Sequence, residues 1–158
     1  MIKLLITPSE KASSSFLNAV KNSSRKNTLC VLCSKSLLLI ETKVKDACKG
    51  KTCSFIDTVS ESKEQNVVYI PPANLTALSI AINQTQQSFK DKSTIIFDSI
   101  SGLAVRNNPN TLIKFLLFLI KKSTDWGSDL ILILPEKTMP EDFIATLSSS
   151  VDKVEKRK

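Results

Sequence analysis

The stretch S93-T-I-I-F-D-S-I-S-G-L-A-V-R-N-N-P-N-T-L-I-K-F-L-L-F-L-I-K-K-S-T-D-W-G-S-D-L-I-L-I-L134 decides the fold class. It holds two short apolar runs, IIF and LILIL, separated by a long segment of helical period. Both runs are continuous and do not alternate with polar residues, as expected of strands buried on both faces of a parallel sheet. The same grammar extends in both directions. The apolar periodicity predicts strands at Ile2–Ile6, Thr28–Cys33, Thr52–Ile56, Val67–Ile70, Thr94–Asp98, Leu130–Leu134 and, weakly, Val151–Glu155. It predicts helices at Pro8–Asn22, Ser36–Cys48, Asn74–Phe89, Thr111–Lys122 and Glu141–Ser149. Strands alternating with helices indicate an α/β domain with a mainly parallel sheet and helices on both faces.

The chain has 158 residues, enough for one domain, 1–158, with a single sizeable core. With 42% hydrophobic and 23% charged residues, its composition is that of a globular protein, not of a disordered or fibrous one. No apolar run is long enough to span a bilayer, and MIKLLIT is too short for a signal-peptide core, so a cytoplasmic protein away from membranes is expected. Ser60–Asn66 reads as a polar loop and 155–158 as a frayed tail. The net charge of +7 lies wholly in residues 1–53, which carry ten basic and three acidic residues. Such a basic third is a candidate nucleic-acid surface, but Phe16 is the only aromatic among its lysines, and a solvated face is the simpler reading.

Histidine is absent, which removes the commonest general base and metal ligand. Four cysteines, Cys30, Cys33, Cys48 and Cys53, have a spacing that zinc could use. Cys30 and Cys33, however, lie in the strand-like run TLCVLC, and an offset of three along a strand points them to opposite faces. The cysteines are therefore read as buried structural thiols, with no disulfide in a reducing compartment.

Ligands of parallel sheets gather at the carboxyl ends of the strands. After the first strand comes Thr7-Pro8-Ser9-Glu10-Lys11, with no glycine; the first glycine of the chain is Gly50. A phosphate-cradling loop is therefore missing. Thr7 as N-cap, Pro8 at the first helical position and Glu10 two residues on read as a capping box, which works against anion binding. Lys11 follows Ile6 too closely to match the standard phosphate lysine and reads as solvated. Asp98, directly after a buried strand, suits water-mediated Mg²⁺ binding. The segment Thr111–Lys122 is apolar around almost its whole circumference, so Leu112, Phe115, Leu116 and Leu119 are candidate interaction residues as well as core.

Ile95–Leu103 (IIFDSISGL), the helix and strand that follow it, VVYIPPANLTALSIAI and TCSFIDTV with Asp57 together resemble the KaiC-like branch of the RecA superfamily, covering most of residues 52–135. The resemblance implies a RecA-like (P-loop NTPase-like) parallel sheet, with a Walker A loop at Ile6–Ser13 and a catalytic acidic pair after the second strand. This chain has neither: Ser34-Lys35-Ser36 follows TLCVLC, and no carboxylate appears before Glu41. Only the Walker B-like Asp98 matches. The expectation is a domain without hydrolytic activity, with no catalytic residue and no cofactor. It would serve as a protein-interaction or regulatory (signalling) module, as a homo-oligomer or with a related ATPase or regulatory protein. The alternative is a divergent ATP-binding protein or weak ATPase, with ATP and Mg²⁺ held by Lys11 or Lys35, Ser13, Asp98 and Ser99. A second alternative is nucleic-acid binding through the basic third.

Overall fold

A computed structural model describes residues 1–62, 64 and 66–158. Of the expected polar loop Ser60–Asn66, Lys63 and Gln65 lie outside the described residues. The strands are β1 (Ile2–Thr7), β2 (Asn27–Leu32), β3 (Thr52–Asp57), β4 (Val67–Tyr69), β5 (Ser93–Phe97), β6 (Asp129–Pro135) and β7 (Lys153–Lys156). They form one seven-stranded sheet in the order β4-β3-β2-β5-β6-β1-β7. Each neighbouring pair is parallel. The α/β class with a parallel sheet is therefore the fold of this chain.

The helices are α1 (Ala12–Asn22), α2 (Leu37–Ala47), α3 (Leu75–Ser88), α4 (Ser101–Ala104), α5 (Pro109–Trp126) and α6 (Glu141–Ser150). Two apolar layers sandwich the sheet. Helices α3 to α6 pack on Leu4, Leu29, Val31, Ile95, Phe97, Leu130 and Leu132. Helices α1 and α2 pack on Cys30, Leu32, Phe55, Ile96 and Ile133. Alternate residues of β2, β5 and β6 thus enter opposite layers, which is why their sequences are apolar throughout. No helix of the described residues is long and apolar enough to cross a membrane.

Helix α5 extends beyond the expected Thr111–Lys122 because both ends carry stop signals. Asn108 caps it, its Oδ1 accepting the Thr111 N–H at 2.8 Å, and Pro109 follows in the first turn. Gly127 ends it at φ 67°, a left-handed position that costs glycine nothing. The interior of the helix also revises an expectation. Leu112, Phe115, Leu116 and Leu119 are buried in the core and offer no contact surface. The apolar circumference is shared between the sheet, α6 and α3, so one long side is consumed in packing. Phe118 is the large apolar residue that α5 leaves exposed, close to the exposed Ile80 of α3 along one groove.

The carboxyl-terminal segment also departs from expectation. Residues 155–158 are not frayed: Glu155 and Lys156 pair with Leu5 and Ile6 in β7, and Arg157 donates its N–H to the Ile6 carbonyl at 2.8 Å. The Arg157 guanidinium reaches the Ser15 hydroxyl of α1 at 2.6 Å.

Candidate functional site

The carboxyl ends of β1, β2 and β5 meet above the sheet. There β2 leads to α2 on one layer and β5 leads to α4 and α5 on the other, so the loops part. Such a parting is where parallel α/β sheets place their ligands.

The opening turn does not form the expected capping box. Thr7 stays in β1, opposite Pro135, and its carbonyl accepts the Glu136 N–H at 2.8 Å. Its hydroxyl is 3.4 Å from the Ser15 hydroxyl and 3.3 Å from the Pro8 carbonyl. The strand outcompetes the helix for Thr7, because pairing to β6 satisfies its backbone. The chain then makes a single 3-10 turn, Ser9–Lys11, and α1 begins at Ala12 without a side-chain cap. Pro8 has no N–H, and the Lys11 N–H is taken by the Pro8 carbonyl at 2.9 Å. The Lys11 ammonium is not free in solvent: it donates to the Lys158 carbonyl.

Two buried carboxylates hold the loop after β2 from either side. Asp98 accepts the Cys33 N–H on Oδ1 at 2.7 Å, and on Oδ2 the Ser34 N–H at 3.4 Å and hydroxyl at 3.5 Å. Asp57 accepts the Leu37 N–H on Oδ2 at 2.9 Å, at the first residue of α2, and the Val59 and Ser60 N–H groups on Oδ1 at 2.8 and 3.2 Å. A carboxylate at a helix N-terminus meets both the orphan N–H and the helix dipole. Burial pushes the Asp98 carboxyl up to about 6, against the pull of the Cys33 and Ser34 amides. Burial, and then the Asp98 charge, raise the Cys33 thiol well above its ordinary value. Gly102 closes this arrangement. A Cβ built there would lie 2.2 Å from the Cys33 carbonyl oxygen, so only glycine lets α4 approach the end of β2.

A pocket of about 240 Å³ lies between the opening turn and this loop, lined by Glu10, Ser13, Phe16, Ser34, Lys35, Lys43 and Asp98 among others. Of the expected site residues, it brings together Ser13, Lys35 and Asp98. Lys11 and Ser99 do not line it; Ser99 is buried, with its hydroxyl 2.8 Å from that of Ser101. Lys43 of α2, which the sequence did not single out, also lines the pocket. Among the described residues, no group of three or more His, Cys, Asp or Glu is placed to hold a metal ion. Cys30 and Cys33 enter opposite layers, as their spacing predicts. The lysines of the basic third divide between the two ends of the sheet. Lys35 and Lys43 stand at the pocket, whereas Lys51 bonds the Ser23 carbonyl and Lys26 pairs with Thr52 at the far end.

No protein-family model and no curated protein matches this chain. Its likeness lies in solved structures. The KaiC-like protein PH0186 of the archaeon Pyrococcus horikoshii superposes with a TM-score of 0.66 at 15% identity, covering 96% of this chain and 70% of that one. The flagellar accessory protein FlaH of Methanocaldococcus jannaschii gives 0.56 at 18% identity, covering 98% and 70%. At such identities the likeness establishes the shared KaiC-like, RecA-type fold.

Proposed function

We propose that this chain is a RecA/KaiC-like domain that does not hydrolyse nucleotide and acts through protein contact, as a regulatory module. The observation that carries this reading is the opening turn. Where a triphosphate needs converging backbone N–H groups, the turn offers a proline without an N–H, an N–H already bonded to Pro8, and a lysine that donates to the Lys158 carbonyl. Glu10 adds negative charge at the pocket rim, where the phosphates would lie. Asp98, the residue that matches a magnesium-binding aspartate, has both oxygens directed at the Cys33–Ser34 backbone. The pocket, at about 240 Å³, falls below the roughly 300–1,000 Å³ of small-molecule sites. Lys35 stands exposed in the segment where an acidic pair would activate water.

The groove around Ile80, Phe118 and Trp126 is an apolar face open to contact, in place of the four buried leucine and phenylalanine positions. Thermal melts with and without millimolar Mg²⁺–ATP, joined to light scattering, test the reading. The expected result is an unchanged midpoint, no phosphate release, and a mass above one chain or a recovered protein partner. A saturable nucleotide-dependent rise in midpoint, or a monomer that captures no partner, contradicts it.

A further inference from the structure

The cysteines at the far end of the sheet form a pair that the sequence did not anticipate. Cys48 caps the end of α2, its N–H bonded to the Val44 carbonyl at 2.9 Å, and Cys53 is the second residue of β3. Their sulfurs are joined in a disulfide across a Cα–Cα distance of 6.3 Å. The expectation of four unpaired thiols is therefore corrected. The turn Lys49–Thr52 reverses the chain, with Gly50 at φ 78° and the Lys51 N–H on the Cys48 carbonyl, and this brings the two side chains face to face.

Two features separate this pair from Cys30 and Cys33. Those two are fully enclosed in the core, and burial lifts their thiols far from ionisation. Cys48 and Cys53 are only half-buried, and the surrounding surface is basic. Lys49 adjoins Cys48, Lys51 lies two residues before Cys53, Lys45 stands one turn back, and Lys21 is close enough for its charge to act on Asp46. The facing acids are engaged: Asp46 pairs with Lys49 at 2.8 Å and Glu41 with Lys45 at 2.6 Å. A local excess of lysines around an accessible pair attracts anionic reaction partners.

We propose that Cys48 and Cys53 form a reversible redox clasp that exchanges with small anionic disulfides of the glutathione type. The thiolate of one cysteine attacks the small disulfide, forming a mixed disulfide and displacing one small thiolate. The second cysteine then attacks the protein sulfur of that mixed disulfide and displaces the other thiolate. The two protons of the protein thiols end on the two small thiols released. The protein pair is oxidised by two electrons and the small disulfide is reduced. Accessible disulfides sit at the labile end of the redox scale, so the clasp opens when reduced thiol is in excess.

The clasp acts on α2. Asp57, at the end of β3, already holds the first residue of α2, and the disulfide ties the last turn of α2 to the start of β3. Closed, the clasp anchors the helix at both ends; open, its final turn keeps its hydrogen bonds and the burial of Val44 and Ala47 but loses its covalent tie to β3. Helix α2 also carries the most exposed leucines of the described residues, Leu38 and Leu39, at 80% and 73%. Those leucines sit in the first turn, which Asp57 holds in either redox state, so the pair sets how firmly the last turn, with Val44 and Ala47, is held against the sheet, whether or not the chain binds nucleotide.

The test equilibrates the full chain in buffers of varied glutathione to glutathione-disulfide ratio, blocks free thiols, and digests with trypsin. Because Lys49 and Lys51 lie between the cysteines, oxidation joins peptide 46–49 to peptide 52–63. The expected result is a linked pair that forms with the disulfide and disappears with excess reduced glutathione. The oxidised form should melt about 4–8 °C higher, with slower amide exchange at the end of α2. The Cys48→Ser/Cys53→Ser variant should melt like the reduced protein and not respond to the buffer. Four blocked thiols at every ratio, or a linked pair that survives excess reduced glutathione, overturns the proposal.

Discussion

Asp98 is the residue at which structure and chemistry are most tightly bound together. Its carboxyl is buried, holds the backbone of Cys33 and Ser34, and is pushed by burial from the ordinary aspartate value up to about 6. A carboxyl whose folded value is raised binds its proton more tightly in the native state. Its contribution is fully present below about 3.8, fades as pH climbs, and is gone above about 6. Replacing it with asparagine, which stays neutral, removes that dependence. Urea unfolding of wild type and Asp98→Asn should show a stability difference that shifts in favour of the variant by on the order of 3 kcal/mol between pH 4 and 7. A difference that stays constant with pH contradicts the buried carboxyl described here. Gly102 gives a second prediction at this scale. The atom that a new Cβ would strike belongs to the Cys33 backbone and cannot swing aside. Gly102→Ala should therefore lose about 1–3 kcal/mol in the same assay, and neutral behaviour would mean that α4 is not held against β2. Asp98 was legible in the sequence as the end of a buried strand. Its actual partners were not, because they are backbone amides brought in by a strand more than sixty residues away in sequence.

At the scale of the element, α5 separates what periodicity can and cannot decide. A helix apolar on nearly all sides can be core or contact surface, and sequence alone cannot apportion the two. The sheet order and the neighbours α3 and α6 do so, burying Leu116 completely and leaving Phe118 half exposed. Leu116→Ala should cost about 2–5 kcal/mol in denaturant unfolding. Phe118→Lys should leave the unfolding midpoint almost unchanged while weakening any assembly seen by light scattering. The reverse pattern would mean that the helix is rotated from the position described. The strands were more legible than the turns. Every predicted strand exists, and those of the sheet centre, β2, β5 and β6, were the plainest because continuous apolar runs suit strands covered on both faces. The opening turn was misread because Thr7 and Pro8 satisfy a capping pattern equally well whether or not Thr7 is already engaged as a strand residue. Its pairing with Pro135 is non-local and leaves no mark within the turn. The frayed tail expected at 155–158 was misread for the same reason: the strand expected at Val151–Glu155 instead runs over Lys153–Lys156, pairing at the sheet edge with β1, its lysines exposed as edge strands favour.

At the scale of the molecule, the fold is shared with the KaiC-like protein PH0186, and at the place where such sheets gather ligands a small pocket lies between the opening turn and the loop after β2. Asp57 and Asp98 grip the loop after β2, Lys11 donates to the Lys158 carbonyl, and a proline opens the first turn. The sheet and its two layers are intact, so the molecule retains a rigid scaffold and exposed apolar faces on α2, α3 and α5. The most direct measurement is an amide-resolved NMR titration of the full chain with Mg²⁺–ATP to millimolar concentration. The account predicts no saturable shifts at Ser9–Ser13, Ser34–Ser36 or Ser99. Saturable shifts confined to those amides, abolished by Lys11→Ala, would show that the turn grips phosphate and would contradict it.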